Sequence, residues 1–357
     1  MSWIETADTV ASLKFSVLDD TRWSPARTIA SGKDWFINWA DFPSVQPFGE
    51  QSFAAHWLVK KPGSTYSYDI AIALSTDGGQ QWSAPITPHR DGTPTEHGFV
   101  SLYPTTDGVG AIWLDGRETN SRDHGHDHGA MSGAMTLRHA HIASDGTLSE
   151  EAVIDTRVCD CCQTDVTLID DQPLAVYRDR SDTEIRDTFF SARRDGRWRA
   201  PQPVNDEQWM IDGCPVNGPA IDSQAQHVAV AWYTEAGGSP TVRTSHSQDG
   251  GQRFAPTTIL DDAGPIGRVD VAYLPNEDYL VSWIGRTDDG DTALLAQRIS
   301  QDGTLSPRRI IAPMDAARRS GFPQLVVQDG RAVVSWTTIV AGQKQVLTRI
   351  IAVDQFF

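Results

Sequence analysis

The sequence has no apolar stretch that approaches the roughly 20 residues a helix needs to cross a bilayer. It also has no low-complexity run, and its start, Met-Ser-Trp-Ile-Glu-Thr, lacks the basic and apolar segments of a secretory signal. We therefore expect no membrane span. For the compartment, we favour a periplasmic or secreted protein whose signal is absent from this sequence, and a cytoplasmic protein is the alternative.

Basic residues are few, since 30 Lys and Arg stand against 47 Asp and Glu and leave a net charge of −17. This excess argues against nucleic acid or an anionic membrane surface as a partner. Twelve tryptophans and 29 glycines indicate strands joined by turns. At 357 residues the chain is long enough for two ordinary domains or one large all-β domain.

Short apolar runs that are typical of buried strands recur along the chain. They carry aromatic residues at intervals of 51 to 64 residues, at Trp57, Trp113, Tyr177, Trp232, Trp283 and Trp336. A period of this size indicates a repeat architecture, and it matches the length of a propeller blade.

A turn with Asp-Gly chemistry accompanies these strands. The segments Ser75–Trp82 and Ser247–Phe254 share the pattern Ser-x-Asp-x-Gly-x-x-aromatic, and weaker copies stand at Asp145, Asp195 and Asp302. Asp-Gly is a strong hairpin signal because its turn needs a positive φ. The Asp can also accept hydrogen bonds from the amides of its own turn. We interpret these residues as structural.

Five such turns are present, and residues 18–25 supply a sixth. The last repeat ends in a strand at residues 346–353 with no turn after it, so residues 9–30 are expected to add its missing outer strands. The sequence therefore predicts an all-β fold, a six-bladed β-propeller of four-stranded antiparallel blades closed by the N-terminal segment. We expect it to form a single domain over residues 1–357.

The Ser-x-Asp-x-Gly-x-x-Trp turn is the Asp-box of sialidase-like propellers, and the chain resembles that superfamily along its whole length. Such boxes occur in glycosidases, binding proteins and receptors, so the resemblance implies the fold rather than an activity. A sialidase would also need an arginine triad that clamps a carboxylate, and a late Tyr nucleophile. The expected place of the first arginine reads Trp39-Ala-Asp-Phe-Pro43, and no Tyr follows Tyr279. We therefore do not expect sialidase activity.

Four cysteines are present, and Cys159, Cys161 and Cys162 fall within four residues, while Cys214 is distant. In a propeller the segments before the innermost strands line the central pocket, and all four cysteines lie in such segments. We expect them to converge. The thiols could form a disulfide, for example Cys162 to Cys214, a metal–thiolate centre, or a redox-active or nucleophilic site. We favour the metal centre, and copper(I) over zinc, because Cys-x-Cys-Cys is not the usual spacing of structural zinc.

A His- and Met-rich insertion at about residues 119–135 interrupts the second predicted blade. Imidazole and thioether ligands suit copper, so we interpret it as a capture site, with a solvated polar loop as the alternative. The candidate ligands are His124, His126, His128, Met131 and Met135.

Further pocket candidates are charged residues near the same segments. Arg178 and Arg180 could lower the thiol pKa from beside the cysteines. Together with Cys-Asp-Cys-Cys-Gln-Thr, their segment resembles bacterial sialidase-like proteins that carry no established activity. The full set of pocket and anion-binding candidates is Asp41, Glu96, His97, Asp165, Arg117, Arg178, Arg180, Arg268, Arg286 and Arg319.

The sequence thus predicts a sialidase-like propeller that binds a soft metal, with copper favoured and with zinc or no metal as alternatives. A redox role, as in a metal-dependent oxidoreductase, stays open, and no catalytic residue is assigned. A rival hypothesis is a glycoside hydrolase that acts on an anionic sugar through Asp41, Glu96, Asp165 and the arginines. A third is a scaffold that binds a protein partner, with its cysteines joined as disulfides.

Overall fold

The structure is a computed structural model that describes residues 1–119 and 133–357. Apart from two short 3₁₀ helices, the regular structure in these ranges consists of antiparallel strands. None of the helices there is long and apolar enough to cross a membrane. The chain divides into two compact units, Met1–Asp160 and Cys161–Phe357.

The first unit contains three main sheets and a two-stranded ribbon. Its strands are β1 (Ser2–Ala7), β2 (Val10–Phe15), β3 (Leu18–Asp19), β4 (Arg22–Trp23), β5 (Arg27–Gly32), β6 (Ser44–Gly49), β7 (Ser52–Lys60), β8 (Tyr68–Ser75), β9 (His97–Pro104), β10 (Gly108–Asp115), β11 (Met135–Ala143) and β12 (Leu148–Val158). The sheets have the orders β1-β2-β5, β6-β7-β8 and β12-β11-β10-β9, and β3 pairs with β4.

The second unit contains four main sheets. Its elements are β13 (Asp165–Ile169), β14 (Gln172–Arg178), β15 (Thr188–Arg194), β16 (Arg197–Trp198), β17 (Gln202–Pro203), β18 (Ala220–Gln224), β19 (His227–Thr234), β20 (Thr241–Ser247), β21 (Thr258–Asp261), β22 (Gly267–Tyr273), β23 (Tyr279–Arg286), β24 (Thr292–Ile299), β25 (Arg309–Pro313), β26 (Gln324–Gln328), β27 (Arg331–Val340) and β28 (Gln343–Ala352), with 3₁₀ helices at Arg318–Ser320 and Val353–Phe356. The sheet orders are β13-β14-β15-β16 with β17 on β15, then β18 to β21, β22 to β25, and β26-β27-β28.

Within each unit the hydrophobic core lies between consecutive sheets. Leu13 and Phe15 of β2 pack with Trp57 of β7, and Trp283 of β23 packs with side chains of the preceding sheet. The central strands β10, β14, β19 and β23 are buried along nearly their whole length, as expected for strands covered on both faces, whereas β2 and β27 alternate buried and partly exposed residues. The predicted strands around the six periodic aromatic residues are therefore confirmed, and they form β7, β10, β14, β19, β23 and β27.

The two complete Asp-boxes form the predicted turns. Asp77 Oδ1 accepts the amides of Gln80 and Gln81, both at 2.9 Å, and Asp249 does the same for residues 252 and 253. The box aromatics pack on the preceding sheet, with Trp82 5.8 Å from Phe15 in ring-centroid distance. Phe254 packs in the same way on β15. Each box thus links two neighbouring sheets of its unit.

The prediction of six blades is wrong, because seven main sheets follow one another along residues 1–119 and 133–357. Residues 9–30 do not complete the last sheet. Their strands pair with β1 to make a separate sheet, in which Phe15 lies opposite both Ser2 and Arg27. The count missed this sheet because its middle strand, β2, has no tryptophan. The uniform four-stranded blade is also wrong, since three of the main sheets have three strands.

Candidate functional site

The connection between β12 and β13 carries the cysteine cluster. Val158 ends the first strand and Asp165 begins the second, so the cysteines occupy a short link. The sulfur atoms of Cys159, Cys161 and Cys162 all lie within 4.8 Å of one another. Their separation is set by the local backbone, since at most three peptide bonds join them. Cys159 and Cys162 are buried, at 0% and 2% exposure, while Cys161 is partly exposed.

The segment that carries Cys214 packs against the same link. The Gly218 amide donates to Gln163 Oε1 at 3.0 Å, and a Cβ on Gly218 would lie 2.1 Å from the Gln163 carbonyl oxygen. Only glycine allows this approach. Cys214 itself is exposed and does not belong to the group of three close sulfur atoms. The structure thus brings the two segments together without placing the fourth thiol in the cluster.

Arg178 holds this second segment in place. The residue is 1% exposed, and its guanidinium donates to the carbonyl oxygens of Asn217, Arg186 and Tyr233 at 2.7 to 3.2 Å. The same group lies 4.8 Å from the Trp209 ring centroid. These contacts give Arg178 a structural role, because its donors are directed to backbone carbonyls.

The other predicted arginines of the second unit each have a local partner. Arg180 pairs with Glu184 at 2.8 Å, and Arg319 pairs with Asp315. Arg286 is exposed and donates to Thr292 at 2.6 Å. Arg268 is 5% exposed, donates to backbone carbonyls of residues 317 and 321, and has its pKa lowered to about 10 by burial.

Asp165 belongs to a series of carboxylates that join the innermost strands of the second unit. Each accepts a backbone N–H from the next sheet, at 2.6 to 2.8 Å; the pairs are Asp165 with Ile221, Asp222 with Tyr273, and Asp270 with Leu325. Burial of the carboxyl group raises the pKa of Asp165 to about 7 and also raises the pKa values of the other two. These carboxyl groups therefore connect each of these sheets to the next by a hydrogen bond.

In the first unit, Asp41 and Glu96 meet at one tyrosine. The Tyr68 hydroxyl lies 2.5 Å from Glu96 Oε1 and 3.1 Å from Asp41 Oδ2. Tyr68 is fully buried and stacks on Phe36 at 4.0 Å. Burial raises the pKa of Tyr68 well above its usual value and raises that of Asp41 to about 7. An activated tyrosine nucleophile needs the opposite shift, so this group is suited to holding the strands.

His97 lies in a second cluster, most of which the sequence did not reveal. Its ring stacks on His89 with centroids 3.7 Å apart and an angle of 2° between the planes. Asp69, Asp91 and Asp115 surround the pair, and two groups of possible ligand atoms share His97. The members come from β8, the loop before β9, β9 itself and the end of β10. They meet only through tertiary folding, so their sequence spacing has no recognisable pattern.

Arg117 closes this cluster on one side. Its Nε and Nη2 donate to Asp115 at 2.8 and 2.7 Å, and Nη2 lies 3.3 Å from Asp91. Burial raises the pKa of Asp115, but the hydrogen bonds from Arg117 and Trp113 and the neighbouring His97 together outweigh burial and hold this pKa below its usual range. Burial lowers the pKa of His89 to about 4, so this imidazole is neutral at pH 7. Arg117 was predicted as an anion-binding residue, and its contacts are carboxylates of its own unit.

Most of the His/Met insertion lies outside the described residues, namely His124, His126, His128 and Met131. Met135 is described: it begins β11, pairs with Val158 of β12 and is 3% exposed. Its position is that of a core side chain.

Neither a protein-family model nor a curated protein matches the sequence. Solved structures do match in fold. A leech intramolecular trans-sialidase has a TM-score of 0.55 at 11% identity, with 88% of this chain and 68% of that chain covered. An α-L-arabinanase from Penicillium chrysogenum has a TM-score of 0.57 at 11% identity, with 90% and 96% covered. A protein of unknown function from Dyadobacter fermentans has a TM-score of 0.54 at 13% identity, with 87% and 93% covered.

At these identities the comparisons show the fold alone, that of sialidase and arabinanase propellers. The all-β propeller class is therefore confirmed, with seven blades in place of six.

Proposed function

We propose that the protein binds a soft metal ion through Cys159, Cys161 and Cys162, and that this ion is copper(I). The observation that supports the proposal is the approach of the three sulfur atoms to within 4.8 Å. Three thiolates bound at about 2.3 Å to one metal lie about 4 Å apart. Small rotations of the side chains would therefore complete the site.

The donor set favours copper(I) over zinc. Structural zinc takes four ligands in a closed tetrahedron, and the close group contains three. Copper(I) is satisfied by soft thiolates in lower coordination. Burial of Cys159 and Cys162 would shield the bound ion from water and oxidants. Such shielding would favour tight binding of the ion. For the compartment, a periplasmic or secreted setting remains our prediction.

The hydrolase hypothesis has weaker support. Asp41 and Glu96 both face the hydroxyl of the buried Tyr68. Asp165 accepts a backbone amide of the next sheet. These acidic groups already serve as internal acceptors, whereas a glycosidase needs two carboxyls on either side of an open sugar site.

Copper(I) titration of anaerobic, reduced protein against a chromophoric chelator tests the proposal. We expect one ion per chain in the wild type and a loss of affinity of at least about 100-fold in the Cys161→Ser/Cys162→Ser double variant, because one thiolate cannot replace three. Cys214→Ser is the matched control and should bind copper as the wild type does.

A thiol titration of the untreated protein separates the metal hypothesis from the disulfide hypothesis. Reactive thiols that become protected when copper(I) is added would support the metal site. Unchanged copper binding in the double variant, or protein whose cysteines are joined in disulfides that resist mild reduction, would contradict it.

A further inference from the structure

We propose a second metal site in the first unit, formed by His97 Nε2, Asp91 Oδ1 and Asp115 Oδ1, for a divalent cation that prefers nitrogen and oxygen ligands, such as Zn²⁺ or Mn²⁺. The site is independent of the cysteine cluster in its residues and its chemistry. It rests on a buried imidazole nitrogen that faces two carboxylates.

The hydrogen bonding of His97 fixes which nitrogen is available. Nδ1 lies 3.3 Å from the Tyr68 carbonyl oxygen, which can only accept, so Nδ1 carries the proton. In the neutral ring Nε2 then has a lone pair. The side chain is 0% exposed, and Nε2 makes no hydrogen bond within residues 1–119 and 133–357. A backbone carbonyl on Nδ1–H is the usual partner of a metal-bound histidine, since it sets the tautomer and the ring orientation.

The atoms that face Nε2 are carboxylate oxygens. Asp91 Oδ1 lies at 3.3 Å and Asp115 Oδ1 at 3.8 Å, and all three atoms fall within 4.8 Å of one another. Ligands held at about 2.0–2.2 Å from one ion lie roughly 3.0–3.5 Å apart. The two distances from Nε2 thus need an adjustment of only a few tenths of an ångström, and the two carboxylate oxygens lie within 4.8 Å of each other. A lone pair directed at two anionic oxygens is repelled by them, and a cation between the three atoms removes that repulsion.

The surroundings position the two carboxylates. Arg117 donates hydrogen bonds to Asp115 from two nitrogens, and Trp113 Nε1 donates to the same carboxylate at 2.8 Å. Asp91 is held by the amide of Thr93 at 3.0 Å and lies 3.1 Å from His89 Nδ1. Ligating carboxylates are commonly fixed by such outer hydrogen bonds. The Arg117 contact with Asp91, at 3.3 Å, would lengthen when the ion enters.

The other possible group uses the opposite side of the same ring. It combines Asp69 with His89 and with His97 Nδ1, at N···O distances of 3.8 Å. Nδ1 is committed to the Tyr68 carbonyl, and Asp69 is paired with Lys61 at 2.6 Å. We therefore assign the ion to the Nε2 side. Asp69 becomes a matched control, since it is a carboxylate at nearly the same distance from the same imidazole.

The test uses the full-length chain with Cys159, Cys161 and Cys162 changed to serine and the histidines of the 119–135 insertion changed to alanine, so that neither the thiolate site nor the insertion competes. Mn²⁺ is titrated and followed by electron paramagnetic resonance, and Zn²⁺ is titrated against a chromophoric chelator. We expect one ion per chain. Asp91→Asn should weaken binding by at least about 10-fold to 100-fold, as loss of a ligand or its support does. Asp69→Asn should change affinity less than twofold.

The proposal would be overturned if the protein bound neither Mn²⁺ nor Zn²⁺ at millimolar concentrations of the ion. The proposal would also be overturned if metal binding survived in the Asp91→Asn variant and were lost in the Asp69→Asn variant. Circular dichroism checks that both variants fold. Should Asp91→Asn fail to fold, Co²⁺ added to the serine-substituted protein decides the question. A paramagnetically shifted, exchangeable imidazole N–H resonance supports the site, because it reports a histidine bound through Nε2, and absence of that resonance contradicts it.

Discussion

At the residue scale, Arg178 shows how a charged side chain can replace secondary structure. It ends β14, and its donors satisfy carbonyl oxygens on three separate stretches of the second unit. A buried carbonyl group without a hydrogen-bond donor lowers the stability of the folded protein. The single guanidinium of Arg178 supplies the donors that several backbone amides would otherwise provide. The planar fork of Arg suits this, since it reaches several acceptors at once.

Arg178→Lys should lower the free energy of unfolding by about 2–4 kcal/mol, because an ammonium on a single stem leaves some of these buried carbonyls unpaired. Urea unfolding followed by tryptophan fluorescence measures the change. The matched control is Arg199→Lys, in an exposed pair with Asp195, which should stay within about 0.5 kcal/mol of the wild type. Equal effects at the two positions would contradict a special role for Arg178.

The candidate residues differ in whether their arrangement can be predicted from residues that are close in the sequence. The crowding of Cys159, Cys161 and Cys162 is visible in the sequence, because adjacent residues must be close in space. Asp69 and Asp91 could not be identified from the sequence, since an aspartate on a strand or loop cannot be distinguished from a solvent-exposed one until its neighbours in space are known. His97 was identified only as a pocket residue, and its buried lone pair depends on which carbonyl faces Nδ1.

At the scale of elements, the Asp-box is a turn whose chemistry is complete within eight residues. Its serine, aspartate and glycines satisfy one another, as the bonds from Gly79 and from residues 80 and 81 show. This is why the boxes could be predicted. Their docking needs the neighbouring sheet. A Cβ on Gly79 would lie 2.4 Å from the Phe15 ring, and one on Gly251 would lie 2.6 Å from Leu174.

Gly251→Ala should destabilise the protein by about 2–4 kcal/mol, since it adds a methyl group to a packed contact and strains a residue with φ of 79°. Gly196→Ala is the control. Gly196 has φ of 73° but nothing within 4 Å of the added methyl, so only the backbone term of about 1 kcal/mol remains. Thermal unfolding of both variants measures the difference. Equal losses would show that the box does not pack tightly against Leu174.

At the scale of the whole chain, the repeat was predictable because a large aromatic residue recurs in the middle of six sheets, and most of the strands that carry it are buried on both faces. The number of repeats was not. The sheet of β1, β2 and β5 uses Leu13 and Phe15 for the same purpose, so a count of tryptophans omits it. The assignment of residues 9–30 to the last sheet failed because hydrogen bonding within residues 2–32 was available at short range.

The series of carboxyls along the innermost strands of the second unit predicts a pH dependence. The pKa of Asp165 is raised to about 7, above the unfolded value of about 3.9, so its contribution to stability is fully present below about pH 4 and is lost as pH rises from there to about 7. Asp165→Asn should therefore gain stability relative to the wild type as pH rises from about 5 to about 7, by up to about 1.4 kcal/mol per pH unit, and the difference should then level off.

Urea unfolding at several pH values measures this difference. The comparison between variant and wild type cancels the titration of other groups. A difference that stays constant from pH 5 to pH 8 would show that the Asp165 carboxyl is ionised in the folded protein throughout this range.

The separate N-terminal sheet also bears on the order in which the protein is made. Residues 2–32 contain all the partners of β1, β2 and β5, so this sheet can pair its strands before the following sheets are made. The apolar side chains of β2 are covered in two steps, first by Trp57 of β7 and then by the box at residues 75–82, which packs on Phe15. At about 5–20 residues per second, those roughly 50 residues take about 3–10 s. During that interval part of the apolar face of β2 is exposed to solvent on the nascent chain.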